Sequence, residues 1–301
     1  MNTKILPILR IFPKYILDVF DRKIIDLPSY ISWFVALFSI VAIKFFNQID
    51  PAYTPALDLS QYTLTFDENF DAIDVSAWGS GTRWIAHTPW AGDFGDARFV
   101  DPQPGFPFSV SNSTLQIEAR KGDDGTWQSG LIASVDADGH GFLQQYGYFE
   151  IKVKLPPGPG LWPAFWLDSY PPKGSTDPSV EVDVFEHYGK FPGAYNSTVT
   201  VWPRLRTDQQ RSEMHIQNVA PYSLYDQFHT YGVSIDSEWI VMYFDQVETW
   251  RIQTPPEHKH GFMILVNLAL GSGWPIDQTP NPSSMYVKYV RAYAHNSAEA
   301  R

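Results

Sequence analysis

QYGYFEIKVKLPPGPGLWPAFWL, residues 145–167, is the stretch whose spacing decides the fold. In its first half Phe149, Ile151 and Val153 alternate with Glu150, Lys152 and Lys154. That is the period of a strand buried on one face. The run PPGPG (156–160) ends it, as Pro and Gly do. The second half, Gly160 to Leu167, puts Trp162, Ala164 and Trp166 on one strand face, because side chains alternate across a strand. Two indoles flanking a small residue suit either a sandwich core or a cleft in which sugar C–H faces pack on rings.

The same pattern recurs on both sides. YTLTF (62–66), TLQIEA (114–119), SVEVDVFE (179–186), NSTVTVW (196–202), TYGVSID (230–236), WIVMYFD (239–245), FMILVNLAL (262–270) and MYVKYVRAYA (285–294) are short and rich in β-branched and aromatic residues. Gly, Pro, Asn or Asp bounds each of them, which marks strands rather than helices. Only SLYDQF (223–228) has the look of a helical turn. Residues 62–296 are therefore expected to form one all-β domain, a β-jelly-roll sandwich of two antiparallel sheets.

Composition excludes several classes of function. There is no cysteine, so no disulfide framework, thiolate metal site or thiol nucleophile exists. Residues 1–50 carry 6 basic and 4 acidic side chains, and the remainder carries 16 basic against 29 acidic. A body this acidic repels phosphate backbones, so no nucleic-acid partner is expected.

The first fifty residues form a separate object. LPSYISWFVALFSIVAI (27–43) has no charged residue, and about 17 apolar positions is the lower limit for a membrane span. Lys4, Arg10, Lys14, Arg22 and Lys23 precede it, which by the positive-inside bias keeps the N-terminus in the cytoplasm. We expect a cytoplasmic segment (1–28), a transmembrane signal anchor (29–47) and a linker (48–61). This arrangement implies a single-pass membrane protein with everything after about residue 50 outside the cytoplasm.

Glu181-Val-Asp-Val-Phe-Glu186 carries the chemistry. Glu181 and Asp183 share a strand face, and Glu186 joins them if a one-residue bulge falls near Val184 or Phe185. Three carboxyl groups on one face repel and raise one another's pKa, which is costly unless they are used. Two carboxyl groups about 5–5.5 Å apart, one ionised and one protonated, are the requirement of retaining glycoside hydrolysis. A solvated acidic edge strand is the alternative reading of the segment alone.

From about residue 62 to 294 the chain resembles a family 16 glycoside hydrolase. The matching blocks are TWQSGLIAS (126–134), the stretch 145–167, EVDVFE (181–186) in the bulged form of the catalytic motif, FHTYGVSIDSEWIVMYFDQV (228–247), NLALGSGWP (267–275) and YVKYVRAY (286–293). The resemblance implies a jelly roll with a concave cleft that cleaves β-linked polysaccharide internally. By position Glu181 resembles the nucleophile, Glu186 the general acid/base and Asp183 the supporting carboxylate. Trp162, Trp166 and Trp274 resemble cleft aromatics, and Arg83 and Trp84 resemble a cleft edge. Strand parity past Glu186 turns His187 away from the cleft and Tyr188 into it, and Trp202 is placed to line it.

RWIAHTPWAGDFGDARF (83–99) is similar to bacterial endo-β-glycanases that depolymerise succinoglycan-type exopolysaccharides. The implied function is a retaining endo-β-glycanase acting on β-1,3/1,4-type bonds of such a polymer, held at the membrane near the polysaccharide synthesis or export machinery. The alternatives are a laminarinase or lichenase acting on neutral β-glucan, a transglycosylase, and a non-enzymatic polysaccharide-binding or export scaffold. No cofactor is expected. A structural calcium, which many family members hold through an acidic residue of the last strand, is left open because Lys288 stands there.

Overall fold

The computed structural model describes residues 57–90, 92–204 and 209–296. The expected segments 1–28 and 29–47, and the linker as far as residue 56, lie outside the described residues. No helix among the described residues is long and apolar enough to cross a membrane.

Strands follow one another in chain order: β1 (Tyr62–Glu68), β2 (Val75–Ser76), β3 (Trp84–Ile85), β4 (Arg98–Phe99), β5 (Phe108–Val110), β6 (Leu115–Lys121), β7 (Trp127–Ser129), β8 (Leu131–Ala133) and β9 (Gly147–Lys154). Then come β10 (Leu161–Ser169), β11 (Ser179–Glu186), β12 (Ala194–Trp202), β13 (Arg211–Asn218), a single helical turn α1 (Ser223–Asp226), β14 (His229–Ile235), β15 (Trp239–Phe244), β16 (Val247–Gln253), β17 (Phe262–Leu270) and β18 (Ser283–His295). They build two sheets. One runs β16-β15-β14-β9-β18-β6-β7-β4, with β1 on β18 and β5 on β6; the other runs β13-β12-β11-β10-β17-β8-β3-β2. The all-β sandwich is as expected, but the sheets are mixed rather than purely antiparallel. β2 pairs with β3, and β4 with β7, in parallel.

The core lies between the sheets. From β9 it takes Phe149, Ile151 and Val153; from β10 Leu161, Phe165 and Leu167; from β17 Phe262, Ile264, Val266 and Leu268. These are the alternate residues of each strand, so the outward residues of the second sheet, Trp162, Ala164, Trp166, Leu265 and Ala269 among them, gather in a smaller cluster on its open face. Phe185 of β11 meets Tyr231 of β14 across the layers with ring centroids 4.4 Å apart. Two polar or sparsely apolar strands, β13 (RSEMHIQN) and β16 (VETWRIQ), were not among the segments expected. β13 is largely exposed and β16 half-buried, and both gain their place from backbone pairing to β12 and β15, which leaves little apolar periodicity to read.

Their contacts also correct the reading of Trp84 and Arg83. Trp84 faces inward, fully buried in the core, and its indole N–H donates to Glu68 Oε2 at 3.0 Å. Arg83 pairs with the same Glu68 at 3.0 Å and lies over the Phe66 ring at 4.2 Å. Neither side chain reaches the open face; of this segment Ile85 does. Trp84→Ala is therefore expected to cost about 3–5 kcal/mol of stability, as for an emptied core site. Thermal melts should show the loss, while KM for polysaccharide in the fraction that folds stays at the wild-type value. A raised KM without loss of melting temperature would return Trp84 to the cleft.

Candidate active site

The open face of the second sheet is a grid set by strand register. Glu181 on β11 stands opposite Asp168 on β10 and Thr200 on β12. Asp183 stands opposite Trp166 and Thr198, and Glu186 opposite Ala164 and Asn196. Glu186 reaches this face through a bulge. Phe165 pairs with Phe185 and Trp166 with Asp183, so Val184 is the extra residue. Val184 and Phe185 both turn into the core, at 2% and 0% exposure. Two consecutive apolar side chains buried on one side are what return Glu186 to the side of Glu181 and Asp183.

Each carboxyl group sits in a different setting. Glu186 Oε1 accepts the Trp162 indole N–H at 2.9 Å and the Tyr188 hydroxyl at 3.3 Å. Burial nevertheless holds its pKa above the ordinary glutamate value, against the lowering effect of those two donors. Glu181 is pushed up to about 7 by burial, with the Glu186 charge adding to it and a hydrogen bond from Trp202 opposing it. Asp183 is the most enclosed of the three; burial raises it well above the ordinary aspartate value, and the charges of Glu181, Glu186 and Asp168 act in the same direction. A site built this way holds protons at pH values where free carboxylates have lost them.

The aromatic residues fall into two groups. Trp162 stacks with Tyr188 at 6.2 Å and 21°, and both donate to Glu186. Trp202 is 39% exposed, and its indole N–H is near enough to lower the pKa of Glu181. Trp274 is half-buried beyond Tyr188, with Phe191 edge-on at 5.1 Å and the Lys190 ammonium 4.2 Å over its ring. Together with Tyr188, Asn196 and Ile216 these rings line a cavity of about 410 Å³. Trp166 differs from expectation. It is 6% exposed, its N–H donates to Asn267 Oδ1 at 2.8 Å, and Phe94 and Trp90 cover it at 5.9 and 6.2 Å. Its place as an open ring is taken by Trp90, which is 49% exposed.

Trp90, Phe94, Phe191, Asn267 and Asp168 are site residues that sequence reasoning did not find. Asn267 carried a signal, as the one polar residue in FMILVNLAL. Asp168 carried another, since it continues the i, i+2 series of Trp162, Ala164 and Trp166. Trp90 and Phe94 lie in a loop with no periodicity to read. His187 is fully buried between the Ala194 carbonyl and the Tyr225 hydroxyl, each at 2.9 Å, and burial lowers its pKa to about 4. On the closing strand Lys288 Nζ donates to Thr114 Oγ1 at 2.6 Å and points to the Asn112 carbonyl at 3.4 Å. That ammonium supplies a fixed positive charge among these oxygens, so the residues do not fit a calcium ion there.

Comparison with known proteins agrees with this geometry. The model of the glycosyl hydrolases family 16 matches residues 105–291, and the chain belongs to that family. It is 32% identical to the endo-1,3-1,4-beta-glycanase EglC of Rhizobium meliloti (strain 1021) over 80% of this chain and 54% of the relative. It is likewise 32% identical to the endo-1,3-1,4-beta-glycanase ExsH of the same organism, over 79% of this chain and 53% of the relative. The chain thus spans about half the length of these curated relatives. Among solved structures, the laminarinase catalytic domain of Thermotoga petrophila RKU-1 superposes with a TM-score of 0.61 at 22% identity, covering 78% of this chain and 99% of that one.

The raised pKa of Glu181 has a consequence for stability. Between its ordinary value of 4.5 and its folded value of about 7, the folded protein keeps a proton that the unfolded chain has released. Stability therefore falls as pH rises through that window. Glu181→Gln removes this loss. Its melting temperature should match the wild type near pH 4.5 and exceed it increasingly up to about pH 8. Parallel melting curves for the two proteins would argue against a proton held at Glu181.

Proposed function

We propose that the chain is a retaining endo-β-glycanase with Glu181 as nucleophile and Glu186 as general acid/base. The observation that carries this reading is the bulge at Val184, which lines up Glu181, Asp183 and Glu186 and gives the two glutamates different donors. Trp162 and Tyr188 both donate to Oε1 of Glu186, which leaves Oε2 to carry the proton. That proton passes to the glycosidic oxygen as the Glu181 carboxylate attacks the anomeric carbon, and the bond to the leaving sugar breaks. Glu186, now ionised, takes a proton from water, whose oxygen displaces Glu181 from the glycosyl-enzyme. Asp183, enclosed between the two, holds the charge of the set.

The substrate we propose is a bacterial exopolysaccharide with β-1,3/1,4-type bonds. The relatives EglC and ExsH are both named endo-1,3-1,4-beta-glycanases, and a further relative, from Sphingobacterium multivorum, is named for endo-1,4-β-galactosidase action on keratan sulfate. An N-terminal anchor at residues 29–47 that holds the domain on the periplasmic side of the inner membrane, beside the polymer's synthesis or export machinery, belongs to the same proposal. The opposing observation is the charge: 29 acidic residues against 16 basic beyond residue 50 favour a neutral β-glucan. Product analysis on laminarin, lichenan and acidic exopolysaccharides separates the two substrates. Cleavage of the neutral glucans with acidic polymer left intact would sink the exopolysaccharide reading.

Glu181→Gln and Glu186→Gln are each expected to lose at least about 10³-fold in rate while still binding polymer, as for removal of a covalent or acid–base catalyst. Azide should rescue Glu181→Ala as an α-glycosyl azide, detected by NMR. A β-glycosyl azide from that variant would exchange the two roles.

A further inference from the structure

Asp168 stands outside the catalytic motif, yet it is the residue directly across from Glu181 in the pairing of β10 with β11. It is 8% exposed, and among the described residues its Oδ1 is buried without a hydrogen-bond partner. The nearby Ser169 backbone N–H acts to lower its pKa. The charged groups that face it are Glu181 and Asp183 on β11 and Arg204 in the segment after β12; on the β17 side its neighbour is the uncharged Met263.

Like charges directly opposed on neighbouring strands destabilise a sheet, and two enclosed carboxyl groups sharing a site do not both ionise readily. Glu181 must be the ionised one, because only the carboxylate attacks. Asp168 is then the member of the pair that keeps its proton. An acceptor with no donor near it is a defect in a buried site, but an acid brings its own hydrogen. The same conclusion follows from burial, which favours the neutral form here more than the Arg204 charge opposes it.

We propose that Asp168 is a positioning residue for the nucleophile: held as the neutral acid, it donates its hydrogen to the Glu181 carboxylate. The Trp202 indole acts on the same group from the end of β12, lowering its pKa, so Glu181 is steadied from both neighbouring strands. One oxygen is steadied while the other attacks. When water later displaces the sugar from the glycosyl-enzyme, the two donors are in place for the carboxylate that leaves. No proton changes hands between Asp168 and Glu181 in either step.

This inference rests on the reading of Glu181 as nucleophile, and the test keeps the two apart. In the full chain, Asp168→Asn retains a neutral donor and Asp168→Leu removes it. Asp168→Asn should keep kcat/KM within about threefold of wild type, with the acidic limb of its pH profile in place. Asp168→Leu should lose about 30-fold in kcat, and its acidic limb should move about one pH unit upward, because Glu181 has lost a donor to its ionised form. Its melting temperature should stay level or rise, since an apolar side chain replaces a buried carboxyl group. A wild-type profile in Asp168→Leu would overturn the proposal. So would an acidic limb that moves downward in Asp168→Asn, which would mean that Asp168 is ionised in the working enzyme. Equal losses in both variants without any movement of the limb would make Asp168 merely structural. Glu181→Gln, measured beside them, decides the underlying assignment: a wild-type rate there removes the nucleophile itself, whatever the Asp168 variants do.

Discussion

One extra residue in β11 governs the site. In a regular strand the five-residue separation of Glu181 and Glu186 would put them on opposite faces, with one of them in the core. The bulge at Val184 absorbs the mismatch by burying Val184 and Phe185 side by side. The core therefore drives the catalytic geometry: two apolar side chains gain more by entering the sandwich together than the strand loses in broken regularity. The remaining features of the site, the donors to Glu186, the enclosure of Asp183 and the opposition of Asp168 to Glu181, depend on this register.

The second constraint is electrostatic. Four carboxyl groups share the middle of one sheet face, and burial raises the pKa of each. Such a cluster is unfavourable for the free protein when ionised, and the surroundings soften this with neutral donors more than with cations. Indole N–H groups from Trp162 and Trp202 and the Tyr188 hydroxyl do most of that work. Neutral donors stabilise a carboxylate without fixing it as strongly as a salt bridge would. That leaves one glutamate free to ionise and the other free to give up a proton. The same aromatic residues stand on the open face of the sheet, so their packing also sets the hydrogen bonds that Glu186 accepts.

Much of the fold was legible because the strands of the core alternate cleanly, as β9, β10 and β17 do. The carboxylate motif was legible as well, including the need for a bulge. The positions of the aromatics were less so. Trp84 and Trp166 read from sequence as cleft residues, but the core claims Trp84, and Trp166 lies under Phe94 and Trp90. A ring suits either side of a sheet, and a short strand such as β3 is too brief for its alternation to show which side it takes. β13 and β16 were missed because their stability comes from neighbours rather than from their own apolar pattern.

What the sequence determined by itself is local: strand periods, turn residues, the absence of thiol chemistry, and three acids spaced so that one bulge makes them co-facial. These follow from i, i+2 geometry and side-chain chemistry within a few residues. What only the tertiary structure decided is non-local. It brought Asp168 opposite Glu181, Asn267 against Trp166, and Trp90 and Phe94 over Trp166. Each of those placements is set by the register of neighbouring strands or by a loop folding back, rather than by the local sequence alone.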